Sequence, residues 1–115
     1  MEFVKVEVIT AGAKLEELKK SITKVGVTGM TVTQVMGCGV QRGTPEYEDD
    51  IHSEIELLPK QMIMMVIEKS KLEKVLDTVK MGLYTGHIGD GKIFVSPVNN
   101  IIRIRTGEED KDALY

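Results

Sequence analysis

A chain of 115 residues with a formal net charge of −3 suits one domain (1–115) and one core, burying about two-thirds of the unfolded surface. Its 42% hydrophobic and 29% charged content is that of a soluble globular protein, no apolar run is long enough to cross a bilayer, and no charged, apolar leader opens the chain, so a cytoplasmic location without membrane insertion is expected. Cys38 is the single cysteine, which excludes an internal disulfide and a cysteine-based metal cluster and gives it the role of a small packing residue.

Residues Phe3–Ile9 alternate, with Val4, Val6 and Val8 on one face and Lys5 and Glu7 on the other, which predicts a strand. Leu15, Leu18, Ile22 and Val25 recur at helical spacing, and Gly26 stands where the helix should stop. Thr28–Val40, rich in Thr and Val, reads as a second strand ending in the Gly37-Cys38-Gly39 kink. Thr44–Leu57 is polar and long for a link between neighbouring strands, where roughly 2–5 residues are usual, and loops of that length are mostly functional or mobile. Between Arg42 and Lys60 lie six acids (Glu46, Glu48, Asp49, Asp50, Glu54, Glu56) and no Lys or Arg, leaving 15 basic against 12 acidic residues elsewhere. An acidic loop on a mildly basic body, without a basic stripe, argues against nucleic acid as a partner.

The order then recurs. Leu57–Ile67 is a third strand; Ser70-Lys71-Leu72-Glu73 reads as a capping box before a helix with Leu72, Val75, Leu76 and Val79 on its apolar stripe and Gly82 at its end. Ile93–Val98 is a fourth strand, and Ile101–Arg105 a short fifth. Two βαβ halves joined by a long loop describe an α+β, ferredoxin-like βαββαβ sandwich with both helices on one face of the sheet. Met62-Ile63-Met64-Met65-Val66-Ile67 is apolar on both sides of its strand, so the helix-free face is expected to be covered by self-association. A soft-metal reading of the methionines gives way to a core reading, because no His or Cys joins them.

Chemistry concentrates in Thr85-Gly86-His87-Ile88-Gly89-Asp90-Gly91-Lys92-Ile93 and Arg103-Ile104-Arg105. Three glycines allow backbone N–H groups to approach an anion closely, and Lys92 adds a positive charge. Period-2 alternation in an extended 103–105 segment would put both guanidinium groups on one face. Gly-Asp-Gly is equally an ordinary turn, and alternating arginines are an ordinary solvated face. The residues alone leave both readings open.

Several blocks together resemble the PII signal-transduction proteins: Gly29-Met30-Thr31-Val32, Gly37-Cys38-Gly39-Val40-Gln41-Arg42-Gly43, Leu58-Pro59-Lys60, the 85–94 segment, and Ile102-Arg103-Ile104-Arg105-Thr106-Gly107-Glu108. Gly-Cys-Gly with Tyr84 and His87 looks most like the branch found in Gram-positive bacteria. The resemblance implies a homotrimer with nucleotide clefts between subunits, a T-loop at about 41–57, a phosphate-binding turn at about 84–92 and a C-terminal loop at about 103–115. It implies competing ATP and ADP in each cleft, and magnesium with 2-oxoglutarate at the base of the T-loop.

Carried over, the adenine-side contacts are Ile9, Gly29, Met30, Thr31, Val66 and Thr85, and the phosphate contacts are Gly37, Gln41, Gly89, the Asp90 backbone, Gly91, Lys92, Arg103 and Arg105, with Cys38, Gly39 and Ile88 beside them. Both arginines would reach across the subunit boundary. Gln41 would hold magnesium and, with Lys60, 2-oxoglutarate. His87 could add charge to the nucleotide site.

The chain also departs from that pattern. Val40 and Ala11 stand where many members place basic residues that contact the nucleotide phosphates and 2-oxoglutarate respectively, which favours an adenylate sensor over a nitrogen/carbon sensor. Ser53 and Ile51 replace the modified tyrosine and serine of other branches, so neither modification carries over. Asp49 reverses the charge of the arginine that plugs ammonium channels, which shifts the expected target to another transporter, such as an ATP-driven importer, or an enzyme. Tyr47, Glu48, Asp49, Asp50 and His52 are the candidate partner contacts. With no nucleophile paired to a base and no paired carboxylates beside the cradle, the expectation is a regulator and not an enzyme.

Overall fold

The computed structural model describes residues 1–11, 14–38 and 57–115. The alternation at the start of the chain forms strand β1 (Phe3–Thr10), with Val4, Val6 and Val8 buried. Helix α1 (Leu15–Lys24) buries Leu18 and Ile22, and Gly26 at φ +93° follows it, the Val27 amide reaching back to the Ile22 carbonyl at 3.2 Å. Only a residue tolerant of the left-handed region turns the chain there. Strand β2 (Thr31–Gly37), strand β3 (Leu58–Glu68), a 3₁₀ turn (Lys69–Lys71), helix α2 (Leu72–Leu83), strand β4 (Lys92–Val98) and the short helix α3 (Lys111–Leu114) complete the order.

The sheet runs β2-β3-β1-β4 with every neighbouring pair antiparallel, the ferredoxin-like arrangement of two interleaved βαβ units. Register decides what meets what. Val6 stands opposite Met65 on one side and Val95 on the other, and Val8 lies between Ile63 and Ile93. The helix-facing residues of β1 and β3 therefore share one layer with Leu18, Ile22, Val75 and Val79, and α1 packs on α2 above it. The helix-free face carries Ile9, Met62, Met64 and Val66, half-buried in the single chain, beside a 2.8 Å Lys5–Glu7 ion pair.

Several expectations need correction. The second strand is shorter than Thr28–Val40: the Thr28 hydroxyl donates to the Leu114 carbonyl at 3.2 Å and Met30 packs against the core, so pairing begins only at Thr31. Ser70 does not cap α2. Its hydroxyl donates to Glu68 at 3.4 Å, because the preceding 3₁₀ turn already places it inside helical backbone. Gly82 does not end α2, which continues to the buried Leu83; a β-carbon at 82 would lie 3.3 Å from Leu18 Cδ1, so its smallness serves helix packing. The 101–105 segment is no strand. Only the isolated Ile102–Glu109 pair forms, and the Gly107 amide donates to the Arg103 carbonyl at 2.8 Å, closing a turn with Gly107 at φ +75°. The alternation that was to align Arg103 and Arg105 on one face is therefore absent. The terminal loop contains α3, and Cys38 is exposed instead of packed.

Candidate functional site

The antiparallel register brings the C-terminal ends of β1 and β2 and the N-terminal ends of β3 and β4 to one end of the sheet, since Ile9 pairs with both Met62 and Lys92, and Gly37 with Leu58. At that end the 84–92 turn is held by its own side chains. The Asp90 carboxylate accepts the Thr85 amide at 2.9 Å, the Gly86 amide at 3.0 Å and the Thr85 hydroxyl, while the His87 amide donates to Thr85 Oγ1 at 3.2 Å. The Thr85 hydroxyl, then the Thr85 amide, hold the Asp90 carboxyl below the usual carboxylate range. Asp90 is thus the residue that shapes the turn through its side chain, a local carboxylate-to-amide pattern available to Asp in turns. Thr85, expected on the adenine side, has both hydroxyl and amide committed to Asp90.

The turn is also fastened to β1. The Ala11 amide donates to the Gly89 carbonyl at 2.9 Å. Gly91, at φ +94°, lies so close to β1 that a β-carbon would fall 1.9 Å from the Ile9 carbonyl oxygen. Among the described residues, the Ile88 and Gly89 amides have no internal partner, and the Lys92 side chain is exposed where β4 begins. Directed amides beside an ammonium can hold an anion, because partial and full positive charges then point at the same oxygens. Lys60 lies near this end too, its stem 3.2 Å from where a Gly37 β-carbon would stand.

A second cluster occupies the opposite end of the sheet. Arg103 Nη2 donates to the Tyr115 carbonyl at 2.7 Å and the Ala113 carbonyl at 3.3 Å, and Nη1 meets the Glu108 carboxylate at 3.4 Å. Lys71 donates to the Tyr115 hydroxyl at 2.8 Å, and that bond raises the Lys71 pKa. Gly29, Met30 and Thr31 lie on the approach to β2 at this end, and Val66 is in β3 opposite Lys5. Arg105 is exposed and makes no ion pair among the described residues. Sequence reading missed the Lys71–Tyr115–Arg103 cluster. No periodicity marks it; the lone tyrosine after the four-residue α3 was its only sign.

One chain does not bring these two ends together. Lys92 and Val98 bound β4, about 20 Å of strand, and Arg103 lies beyond Val98. The expected contacts Gly39 and Gln41, and the partner candidates Tyr47, Glu48, Asp49, Asp50 and His52, lie outside the described residues, as does most of the 41–57 loop. Among the described residues no group of three or more His, Cys, Asp or Glu could hold a metal ion, and no helix is long and apolar enough to cross a membrane.

Comparison with known proteins agrees with this fold. The pattern of the family described as nitrogen regulatory protein P-II matches residues 3–108. The nitrogen regulatory protein P-II of Cyanidium caldarium is 44% identical over 112 residues, 97% of this chain and 99% of its own. The nitrogen regulatory protein GlnK of Escherichia coli K12 is 43% identical over 109 residues, 95% and 97% of the two chains. Among solved structures, the GlnK–ATP complex of B. subtilis superposes with a TM-score of 0.82 at 40% identity, covering 98% of each chain. Arabidopsis thaliana PII bound to citrate gives 0.77 at 35% identity, covering 97% of this chain and 92% of that one.

Proposed function

This chain belongs to the nitrogen regulatory protein P-II family, and on that footing we propose that it senses adenylate state by binding ATP and ADP in clefts between the subunits of a homotrimer. The reading gives the phosphates to the Gly89–Lys92 turn of one subunit and to Arg103 and Arg105 of its neighbour. The observation that carries it is the turn itself: Asp90 commits its carboxylate to Thr85 and Gly86, and the Ile88 and Gly89 amides, with no internal partner among the described residues, and the exposed Lys92 remain for an anion. The separation of Lys92 from Arg103 by the length of β4 supports an inter-subunit site, because a single chain cannot place both on one ligand. The solved ATP complex of the B. subtilis relative supports the choice of nucleotide.

The output in this reading is a transporter or enzyme docked on the T-loop, in the cytoplasm. The acidic run Glu48-Asp49-Asp50 favours a basic partner surface, and an ATP-driven importer over an ammonium channel. A second reading, a nitrogen/carbon sensor that adds 2-oxoglutarate to Mg-ATP and regulates ammonium uptake or glutamine synthesis, is favoured by the function named for the relatives. Lys60 would face the 2-oxoglutarate carboxylate. Magnesium would depend on Gln41.

Calorimetric titration of the full chain with ATP and with ADP tests the nucleotide site, and absence of binding at millimolar nucleotide refutes it. Lys92→Ala and Arg103→Ala each remove one charge-assisted contact, worth about 1.5–3 kcal/mol or roughly 10- to 150-fold in affinity. Repeating the titration with 2-oxoglutarate and magnesium separates the two readings.

A further inference from the structure

We propose that residues 108–115 form a latch that keeps Arg103 engaged until an anionic ligand displaces it, an inference that rests on the reading of Arg103 as a phosphate contact. Three acceptors from this segment already occupy the guanidinium fork: the Tyr115 carbonyl at 2.7 Å, the Ala113 carbonyl at 3.3 Å and the Glu108 carboxylate at 3.4 Å. Oxygens arranged around one planar fork, the Glu108 carboxylate among them, offer what a phosphate offers. The guanidinium cannot give the same N–H groups fully to both.

The segment is held to the body of the protein by contacts that do not involve Arg103. The Thr28 hydroxyl donates to the Leu114 carbonyl at 3.2 Å, and Lys71 bridges the Tyr115 hydroxyl at 2.8 Å and the Gly26 carbonyl at 3.4 Å. Against them stands one costly conformation. Asp110 is the single non-glycine residue at positive φ among the described residues, at φ 52° and ψ −119°, a region that disfavours a β-carbon. Its carboxylate accepts the Ile101 amide at 3.2 Å and Asn100 Nδ2 at 3.1 Å, which keeps the bend in place. Exposed and part-buried hydrogen bonds opposed by a strained hinge make a closure that a ligand can open.

Tyr115 and Lys71 are positioning residues in this scheme: they touch no ligand and act by anchoring the segment that occupies Arg103. The alternative is a strut, in which the same segment presents Arg103 to the ligand and its loss weakens binding. Calorimetry with ATP and ADP on the full chain distinguishes the two in Tyr115→Phe, Lys71→Met and Glu108→Gln, with Tyr115→Phe as the variant least able to disturb folding. Each should tighten nucleotide binding about 3- to 10-fold, the equivalent of one ordinary hydrogen bond. In wild type, saturating nucleotide should also speed hydrogen exchange at the Ala113 and Leu114 amides. Wild-type binding that the variants leave unchanged or weaken overturns the latch alone. Binding seen only in the variants supports it, and no binding in any of the four proteins overturns both the latch and the nucleotide reading.

Discussion

Replacing Gly91 by Ala should destabilise the protein far more than the same change at Gly107, although both glycines lie at positive φ. At Gly107, φ +75° with no atom within 4 Å of the added β-carbon, the cost is that of a left-handed L-residue, about 1–2 kcal/mol. At Gly91 the same penalty is joined by an overlap, since the β-carbon would lie 1.9 Å from the Ile9 carbonyl oxygen and 2.9 Å from Thr10 Cα. The β1 backbone cannot swing away as a flexible side chain can. Relieving the overlap must lift the turn from β1 at the Ile9–Lys92 pair, adding about 1–3 kcal/mol as in an overpacked core. The total of about 2–5 kcal/mol corresponds to a fall of roughly 1–2 M in the urea midpoint for a protein of this size. Urea unfolding of wild type, Gly107→Ala and Gly91→Ala at one protein concentration measures it, with hydrogen exchange at the Ala11 amide reporting whether its bond to Gly89 is lost. A Gly91→Ala protein no less stable than Gly107→Ala would refute the close approach of turn and strand.

The Asp90 carboxyl, held below its ordinary value, binds a proton less readily folded than unfolded, so its contribution to stability is complete above about pH 4 and disappears as pH falls through the depressed folded value. Amide resonances of Thr85 and Gly86 should therefore move together in acid titration, and Asp90→Asn should abolish that transition. Leu18→Ala, emptying a fully buried position between α1 and α2, should cost about 2–5 kcal/mol, visible as a lowered melting temperature. Met81→Ala, at a residue 83% exposed, should stay within about 0.5 kcal/mol of wild type in the same experiment.

The sequence was legible where burial imposed a period. Val4, Val6 and Val8 had to share a face, as did Leu18 and Ile22 a turn apart, and the two βαβ halves followed from such patterns. It was less legible where a contact distant in the chain decided the outcome. Thr28 has strand-like chemistry, but its hydroxyl is drawn to Leu114, 86 residues away. Gly82 looks like a stop signal, yet Leu18 on another helix explains its small size. Arg103-Ile104-Arg105 alternates perfectly, and hydrogen bonds from Gly107 and to Glu108 nevertheless bend it into a turn. Of the candidate site, the glycine turn and Lys92 were readable as a unit, because Asp90 acts on Thr85 and Gly86 close by in the chain. The company Arg103 keeps was not, since Tyr115 meets it, and Lys71 meets Tyr115, only through tertiary folding.

Because the turn carrying Lys92 and the segment carrying Arg103 occupy opposite ends of the same seven-residue strand, a copy damaged at one end remains sound at the other. On the inter-subunit reading of the site, subunits bearing Lys92→Ala mixed with subunits bearing Arg103→Ala should complement each other, regenerating an undamaged seam wherever the intact ends face. Ligand occupancy would then be a collective property, sensitive to dilution of the chain as well as to the supply of nucleotide.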